Sequence, residues 1–285
     1  MAERPGSRTR TQLRIFEGDL ERTRSDHLAT EEPLEIRLIV GGETKPVAVT
    51  MRTPGADFEL AIGFLFGEGV IRDREHVLRI SYCTDPEIDA EQQFNIVNVK
   101  LDPAAMPDLR PLERHFFTSS ACGVCGKASL EALELRGCPA VPPGPQVRAG
   151  VIYELPEKLR AAQGIFESTG GLHAAGLFTA DGDLVALRED VGRHNAVDKV
   201  IGWALLQDRL PLNDHIVMVS GRSSFEIMQK CLVAAVPIVG AVSAPSSLAV
   251  ALAKEFNVTL IGFLRGNRFN VYAGEERIRT PVPAD

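Results

Sequence analysis

The sequence predicts an α/β protein: a three-layer α/β/α portion, with helices on both faces of a mostly parallel sheet, preceded by a smaller β-rich portion. Three observations predict it. After residue 190, short apolar runs alternate with helix-length stretches. Before residue 102, β-branched alternating runs dominate, with one helix among them. Between the two portions, Pro139 to Pro145 holds four prolines and a glycine, the composition of a linker.

At 285 residues the chain is long enough for one large domain or two small ones with real cores. A net charge of −7 argues against a nucleic-acid partner. No apolar run reaches the length of a membrane span, and the N-terminus lacks the apolar centre of a secretory signal. Five cysteines, an odd number, without an export signal point to free thiols in a reducing cytoplasm.

In order, residues 1–12, rich in arginine, read as a disordered tail. Leu34–Val40 and Pro46–Met51 alternate and are joined by Gly41-Gly42, which predicts a hairpin. Pro54-Gly-Ala-Asp57 caps a helix over Phe58–Gly67, with Phe58, Ala61 and Leu65 on one buried face. Ile80–Cys83 and Phe94–Leu101 read as strands, with Cys83 as a small core residue. A helix over Ala128–Arg136 stops at Gly137. Cys138 carries no partner signal. Beyond the linker, Pro156–Glu167 reads as a helix. Gly171–Phe178 and Leu184–Arg188 form a hairpin through Asp181-Gly182. Helices over Asn195–Leu206, Ser224–Ala235 and Ser246–Phe256 then alternate with strands at Ile216–Val219, Ile238–Val242 and Leu260–Phe263. The boundaries are a tail over 1–12, a β-rich domain over 13–138, a linker over 139–147, an α/β/α domain over 148–275 and a tail over 276–285.

Thr118-Ser-Ser-Ala-Cys122-Gly-Val-Cys125-Gly-Lys127 sets two thiols three residues apart, among small residues and ahead of a cation. The thiolate is the reactive species, and a helix start or a nearby cation raises its fraction. Half a zinc site, a thioredoxin-like redox pair and coincidence compete with a reactive thiol. A structural zinc commonly draws on two such pairs, and the other cysteines stand singly. The zinc-deaminase signature needs His-x-Glu, which the chain lacks.

The strand-to-helix junctions share a second chemistry. Glu189-Asp-Val-Gly-Arg193-His194-Asn195 follows one strand, Ser220-Gly-Arg222-Ser-Ser224 the next, and Ser243-Ala-Pro-Ser246-Ser247 another. The last strand runs into Phe263-Leu264-Arg265-Gly266-Asn267-Arg268. Ligands of such sheets sit beyond the carboxyl ends of the strands, where helix starts and arginine forks suit phosphate. A serine at a helix start is ordinarily an N-cap, and one loop arginine is ordinarily solvated. Agreement across four junctions favours an anionic, nucleotide-bearing ligand. Three or four charge-assisted hydrogen bonds of about 1.5–3 kcal/mol suffice for micromolar binding, about 8 kcal/mol. Glu189 and Asp190 would read ring N–H groups or a ribose, or pair with Arg193. His173 reads as a hydrogen-bonded core residue or, with glycines before it that allow close approach, as a flank of the thiol loop, and His194 as a cap or a ligand contact.

Together these residues resemble the formate dehydrogenase accessory sulfurtransferase (FdhD) family. The resemblance rests on Arg52-Thr-Pro-Gly-Ala-Asp57, Glu59–Phe64, Cys122-Gly-Val-Cys125-Gly126, Thr169–Ala175, Arg188–Lys199, Ser220-Gly-Arg222, Ser243–Val250 and Gly262-Phe263. It implies a cytidine-deaminase-like α/β/α core beside a smaller domain, paired as a homodimer. It also implies a sulfur carrier that takes persulfide sulfur from a cysteine desulfurase. The sulfur passes to a guanine-dinucleotide molybdenum (or tungsten) cofactor, Mo-bis-MGD, destined for formate dehydrogenase. Cys122 matches the persulfide-bearing position, Cys125 its helper, and Phe263–Arg268 the cofactor-binding segment. Ser220, Arg222, Ser246, Arg193 and His194 join that segment as cofactor contacts, and no permanent metal is expected. Two rivals are a zinc-dependent deaminase-like nucleotide hydrolase using Cys122, Cys125 and His173, and a non-catalytic cofactor chaperone.

Overall fold

A computed structural model describes residues 5–105 and 138–279. It opens with a ribbon, β1 (Arg8–Glu17) and β2 (Leu20–Ala29), antiparallel over their full length. Residues 8–12, expected within a disordered tail, are therefore half of a strand. The ribbon turns at Gly18, whose positive φ suits a tight reversal.

Next come β3 (Glu32–Val40), β4 (Glu43–Arg52), α1 (Asp57–Gly67), β5 (Val77–Tyr82), the short α2 (Ala90–Gln93) and β6 (Ile96–Leu101). Their sheet has the order β4-β3-β6-β5, and the expected hairpin turns at Gly41-Gly42, both at positive φ. After residue 138 come β7 (Val147–Arg148), α3 (Ala149–Ala162), α4 (Gly164–Thr169), β8 (His173–Thr179), β9 (Leu184–Asp190) and α5 (Arg193–Leu206). The chain continues through β10 (His215–Val219), α6 (Phe225–Val233), β11 (Ile238–Ala241), α7 (Ser247–Glu255), β12 (Thr259–Arg265), β13 (Arg268–Ala273) and β14 (Ile278–Arg279).

The large sheet runs β13-β12-β11-β10-β8-β9. Only β10–β11 and β11–β12 are parallel; the other three pairings are antiparallel. The expected mostly parallel sheet is thus mixed, because the β8–β9 hairpin joins β10 directly and β12 turns back into β13. Side-chain alternation gives each face its own layer. Ala175, Leu177, Val217, Val219, Val239 and Leu260 join the core shared with α1, α5, α6 and α7. Ala174, Phe178, Ile216, Met218, Ile238 and Ile261 pack with Ile152, Leu155 and Leu159 of α3. This is the expected three-layer arrangement.

Three further differences have local causes. The helix expected over Pro156–Glu167 starts at Ala149, with Pro156 inside it, and breaks at Gln163 into α3 and α4. Burial of Val151, Ile152, Leu155 and Leu159 outweighs the roughly 3 kcal/mol that an interior proline costs. Helix α1, expected to bury one face, also buries Leu60, Ile62, Gly63 and Phe66, because it lies between the small sheet and α5. Residues 276–279, expected as tail, are held: β14 pairs with β7, and buried Arg277 donates to Pro142 O, Asn257 O and Thr259 Oγ1.

The β-rich and α/β/α portions share one hydrophobic core. At the α1–α5 crossing, a Cβ on Gly63 would stand 1.8 Å from Asp198 O, and one on Gly202 would stand 1.9 Å from Glu59 O. Only hydrogen fits at either position.

Candidate functional site

Strands β10, β11 and β12 end at one edge of the large sheet. Antiparallel pairing brings the start of β8 and the end of β9 to the same edge, where His173 faces Asp190. The starts of α5, α6 and α7 follow directly from these ends. Four expected junctions therefore form a single rim, as open α/β sheets arrange their ligand sites.

Two rim acids, Asp190 and Glu189, are turned inward and engaged, and a third, Glu226 in the first turn of α6, is half exposed beside His194. Asp190 is buried and accepts from Thr53 N, Gly192 N and Asn195 Nδ2, while Lys199 Nζ lies 2.6 Å away. Glu189 accepts from Ile165 N and Phe166 N, at 3.0 and 2.7 Å, and so holds the first turn of α4. Neither pairs with Arg193; their partners are backbone N–H groups, the Asn195 amide and Lys199.

Among the described residues no ion pair joins Arg193, Arg222, Arg265 or Arg268 to an acid, although Glu226 lies near enough for Arg193 to act on its carboxylate. Arg193 opens α5 half-buried, and its Nε is buried without a hydrogen-bond partner among the described residues. Arg222, Arg265 and Arg268 are exposed. Ser223 is fully buried, and its hydroxyl has no partner among the described residues. Gly221 leaves room beside them: its Cβ would sit 3.4 Å from His173 Nδ1 and 3.7 Å from Arg193 Cδ. Burial, then the nearby Arg193 and His194, hold the His173 imidazole below its usual range, against Asp190. His173 is therefore neutral at pH 7.

Other expected site residues have structural partners. The Ser220 hydroxyl accepts from Ala174 N at 2.9 Å and clips the loop to β8. The Ser246 hydroxyl accepts from Ala249 N at 3.2 Å, an N-cap at an exposed helix start. His194 Nε2 lies 2.8 Å from Glu226 Oε2 and 3.1 Å from Ser224 Oγ, which joins α5 to α6.

Phe263 to Arg268 is the tip of the β12–β13 hairpin, turning at Gly266. Phe263 is exposed with φ at 52°, a left-handed backbone that is strained for an aromatic residue. Leu264 is fully buried against the α3 layer, so within the segment it serves packing. Gly266 and Asn267 reach a shallow groove of about 380 Å³ shared with Tyr153, Glu154, Glu157 and Lys158 of α3.

Cys122 and Cys125 lie outside the described residues, as does the expected helix over 128–136. Where the chain resumes, Val141 N donates to Phe256 O, and Gly144 packs on Pro237. These contacts lie at the amino ends of β11 and β12, opposite the rim. Cys231 is unreactive, its thiol pushed up to about 12 by burial. Among the described residues no group of three or more His, Cys, Asp and Glu could hold a metal ion, and no helix is long and apolar enough to cross a membrane.

Residues 29–279 match the model of the FdhD/NarQ family. The chain belongs to the FdhD/NarQ family. It is 51% identical to the sulfur carrier protein FdhD of Streptomyces coelicolor over 93% of each chain. With the protein of that name from Mycobacterium tuberculosis it is 51% identical over 93% of this chain and 96% of that one. The protein of that name from Sulfurisphaera tokodaii is 44% identical over 93% of this chain and 98% of its own. The fold is similar to the crystal structure of a Desulfotalea psychrophila protein assigned as a formate dehydrogenase accessory protein. There the TM-score is 0.72 and the identity 27%, over 95% of this chain and 99% of that one.

For this FdhD/NarQ chain, residue-by-residue reading missed a buried network behind the rim. Arg52, fully buried, donates to both oxygens of Asp57, to Phe94 O and to Asn95 Oδ1. Lys199 donates to Thr53 O. The Arg52–Asp57 motif thus fastens the small sheet to α5 immediately beneath the rim. The signal was its density of Arg, Asp, Pro and Gly, which resembles a loop site as much as a buried clasp.

Proposed function

We propose that this chain is a sulfur carrier. It takes sulfane sulfur from a cysteine desulfurase and passes it to a guanine-dinucleotide molybdenum or tungsten cofactor for formate dehydrogenase. The observation that carries the cofactor half of this reading is the rim itself. Asp190 and Glu189 are locked inward and Glu226 is taken up by His194, while Arg193, Arg222, Arg265 and Arg268 form no ion pair with an acid among the described residues. Such a surface favours a polyanion of the dinucleotide type. The names of relatives about half identical over nearly the whole chain support sulfur as the transferred group.

In the first step, the Cys122 thiolate attacks the outer sulfur of the desulfurase persulfide. A Cys122 persulfide forms and the desulfurase cysteine leaves as its thiolate. In the second step the S–S bond of the Cys122 persulfide breaks as its outer sulfur binds the cofactor's metal, which is substrate here; a reduced metal centre would supply the two electrons that bring that sulfur to the sulfide level, and Cys122 returns as thiolate with Cys125 as helper. Cys122 lies about 16 residues from described backbone on either side, a contour of at most about 55 Å. The longest strands of the large sheet span only about 23 Å, so chain length does not prevent the thiol from meeting the rim. In this reading the protein works in the cytoplasm as a homodimer, as a sulfurtransferase rather than a passive cradle.

Mass spectrometry after incubation with desulfurase and cysteine should show one added sulfur on Cys122. Cys122→Ala should abolish sulfur delivery and leave guanine-nucleotide binding near normal; Arg265→Ala with Arg268→Ala should do the reverse. Full formate dehydrogenase maturation by the Cys122→Ala protein would overturn the reading in favour of a chaperone.

A further inference from the structure

The ribbon of β1 and β2 stands outside both layers of the large sheet. Among the described residues the ribbon is fastened at its base: Arg8 donates to Gly164 O at 2.8 Å, β2 lies against α4, and Ala29 packs at Gly171. Its tip shows apolar side chains to water, with Phe16 71% and Leu20 61% exposed. A lone two-stranded ribbon is marginal in water, and such a tip has the character of a contact surface.

The body carries a matching surface. β4 is an edge strand of the small sheet, and its Val49 and Met51 are 69% and 47% exposed. At the Met51 end of that sheet, the exposed segment between β5 and β6 carries Asp85, Glu87, Asp89 and Glu91 and no basic residue. Arg52, next to Met51, keeps that segment close by donating to Phe94 O. On the ribbon, Arg14 and Arg22 are paired with Glu21 and Glu17. Arg10 and Arg24 make no ion pair among the described residues. Tip and edge match in apolarity, and ribbon and acidic segment match in charge. Both surfaces are open within one chain, so the ribbon does not cover its own β4.

We propose that the ribbon of one chain docks on β4 and the acidic segment of a second copy, reciprocally about a two-fold axis. This specifies the homodimer of the preceding reading and rests on that part of it. An isologous contact of this kind uses the same two patches on both chains.

Sedimentation equilibrium on the full chain tests it. The wild type should have the mass of two chains. Phe16→Asp with Leu20→Asp should weaken association roughly tenfold or more, with the far-ultraviolet circular dichroism unchanged because the tip lies outside both buried clusters. Arg10→Glu with Arg24→Glu should weaken it too, and adding Glu87→Lys with Asp89→Lys should restore part of the loss. A two-chain mass that survives the tip substitutions would place the interface elsewhere and overturn the proposal. A wild type of one-chain mass would overturn it together with the homodimer. Sulfur loading of Cys122 in the tip variant reports on the carrier reading separately.

Discussion

Lys230 and Asp198 form a buried bidentate ion pair, at 2.7 and 2.9 Å, that ties α6 to α5. Burial pushes the Asp198 carboxyl up to about 6, even though Lys230 opposes the rise. A carboxyl raised in the folded state adds stability below its unfolded value near 4, and that contribution disappears as pH rises past the folded one. Removing the lysine raises the carboxyl further, so the penalty is greatest where Asp198 must be charged. Lys230→Met should therefore cost about 3–5 kcal/mol near pH 8 and clearly less near pH 5. Urea titrations at the two pH values measure this; an equal loss at both would show that lost packing, not charge, dominates. None of this was legible in sequence. Asp198 and Lys230 look like ordinary polar positions on two helices, and only the crossing of those helices buries them together. The same holds for Asp190, whose place among loop residues resembled a ligand contact until its four partners were visible.

At the scale of elements, the hairpins show what a local signal can and cannot carry. Asp181-Gly182 between two apolar runs predicted the β8–β9 turn, and Gly182 takes the positive φ that the turn needs. Gly266-Asn267 is an equally strong pair, but its arginine-bearing setting points to a ligand loop and hides β13. Gly18-Asp19 is hidden in the same way by an arginine-rich start that resembles a tail. Strand order was not legible at all, because apolar runs of similar length say nothing of which neighbour each will take. Helix α1 depends on two glycines that no periodicity marks as special. Gly202→Ala would bring a methyl to 1.9 Å from Glu59 O, so the two helices would have to separate. The expected cost is about 3 kcal/mol, read as a lower denaturation midpoint with secondary structure retained. An unchanged midpoint would mean that the crossing is looser than these distances.

For the whole molecule, the continuous core has a thermodynamic consequence. Leu34, Leu60 and Val97 of the first portion belong to the same buried cluster as Ala196, Val217 and Leu260 of the second. Heating should therefore give one cooperative unfolding transition, with agreement between calorimetric and van't Hoff enthalpies. Two resolved peaks would show that the portions hold their cores independently. The proline-rich segment over 139–147 made a two-domain reading natural. Its prolines are real, but Val141 is buried and bonded to Phe256, so the segment is strapped along the sheet. Composition reports local stiffness; it does not report what the stiff segment lies against.

The glycine-to-carbonyl contact between α1 and α5 also bears on descent. Neither half of the chain can complete its interior alone, so recombination that joined one half to an unrelated partner would leave a helix with nothing to seat against. The amino-terminal sheet and the arginine-bearing rim are therefore expected to be inherited as one piece, and a side chain at Gly63 or Gly202 fits only where the facing backbone moves with it.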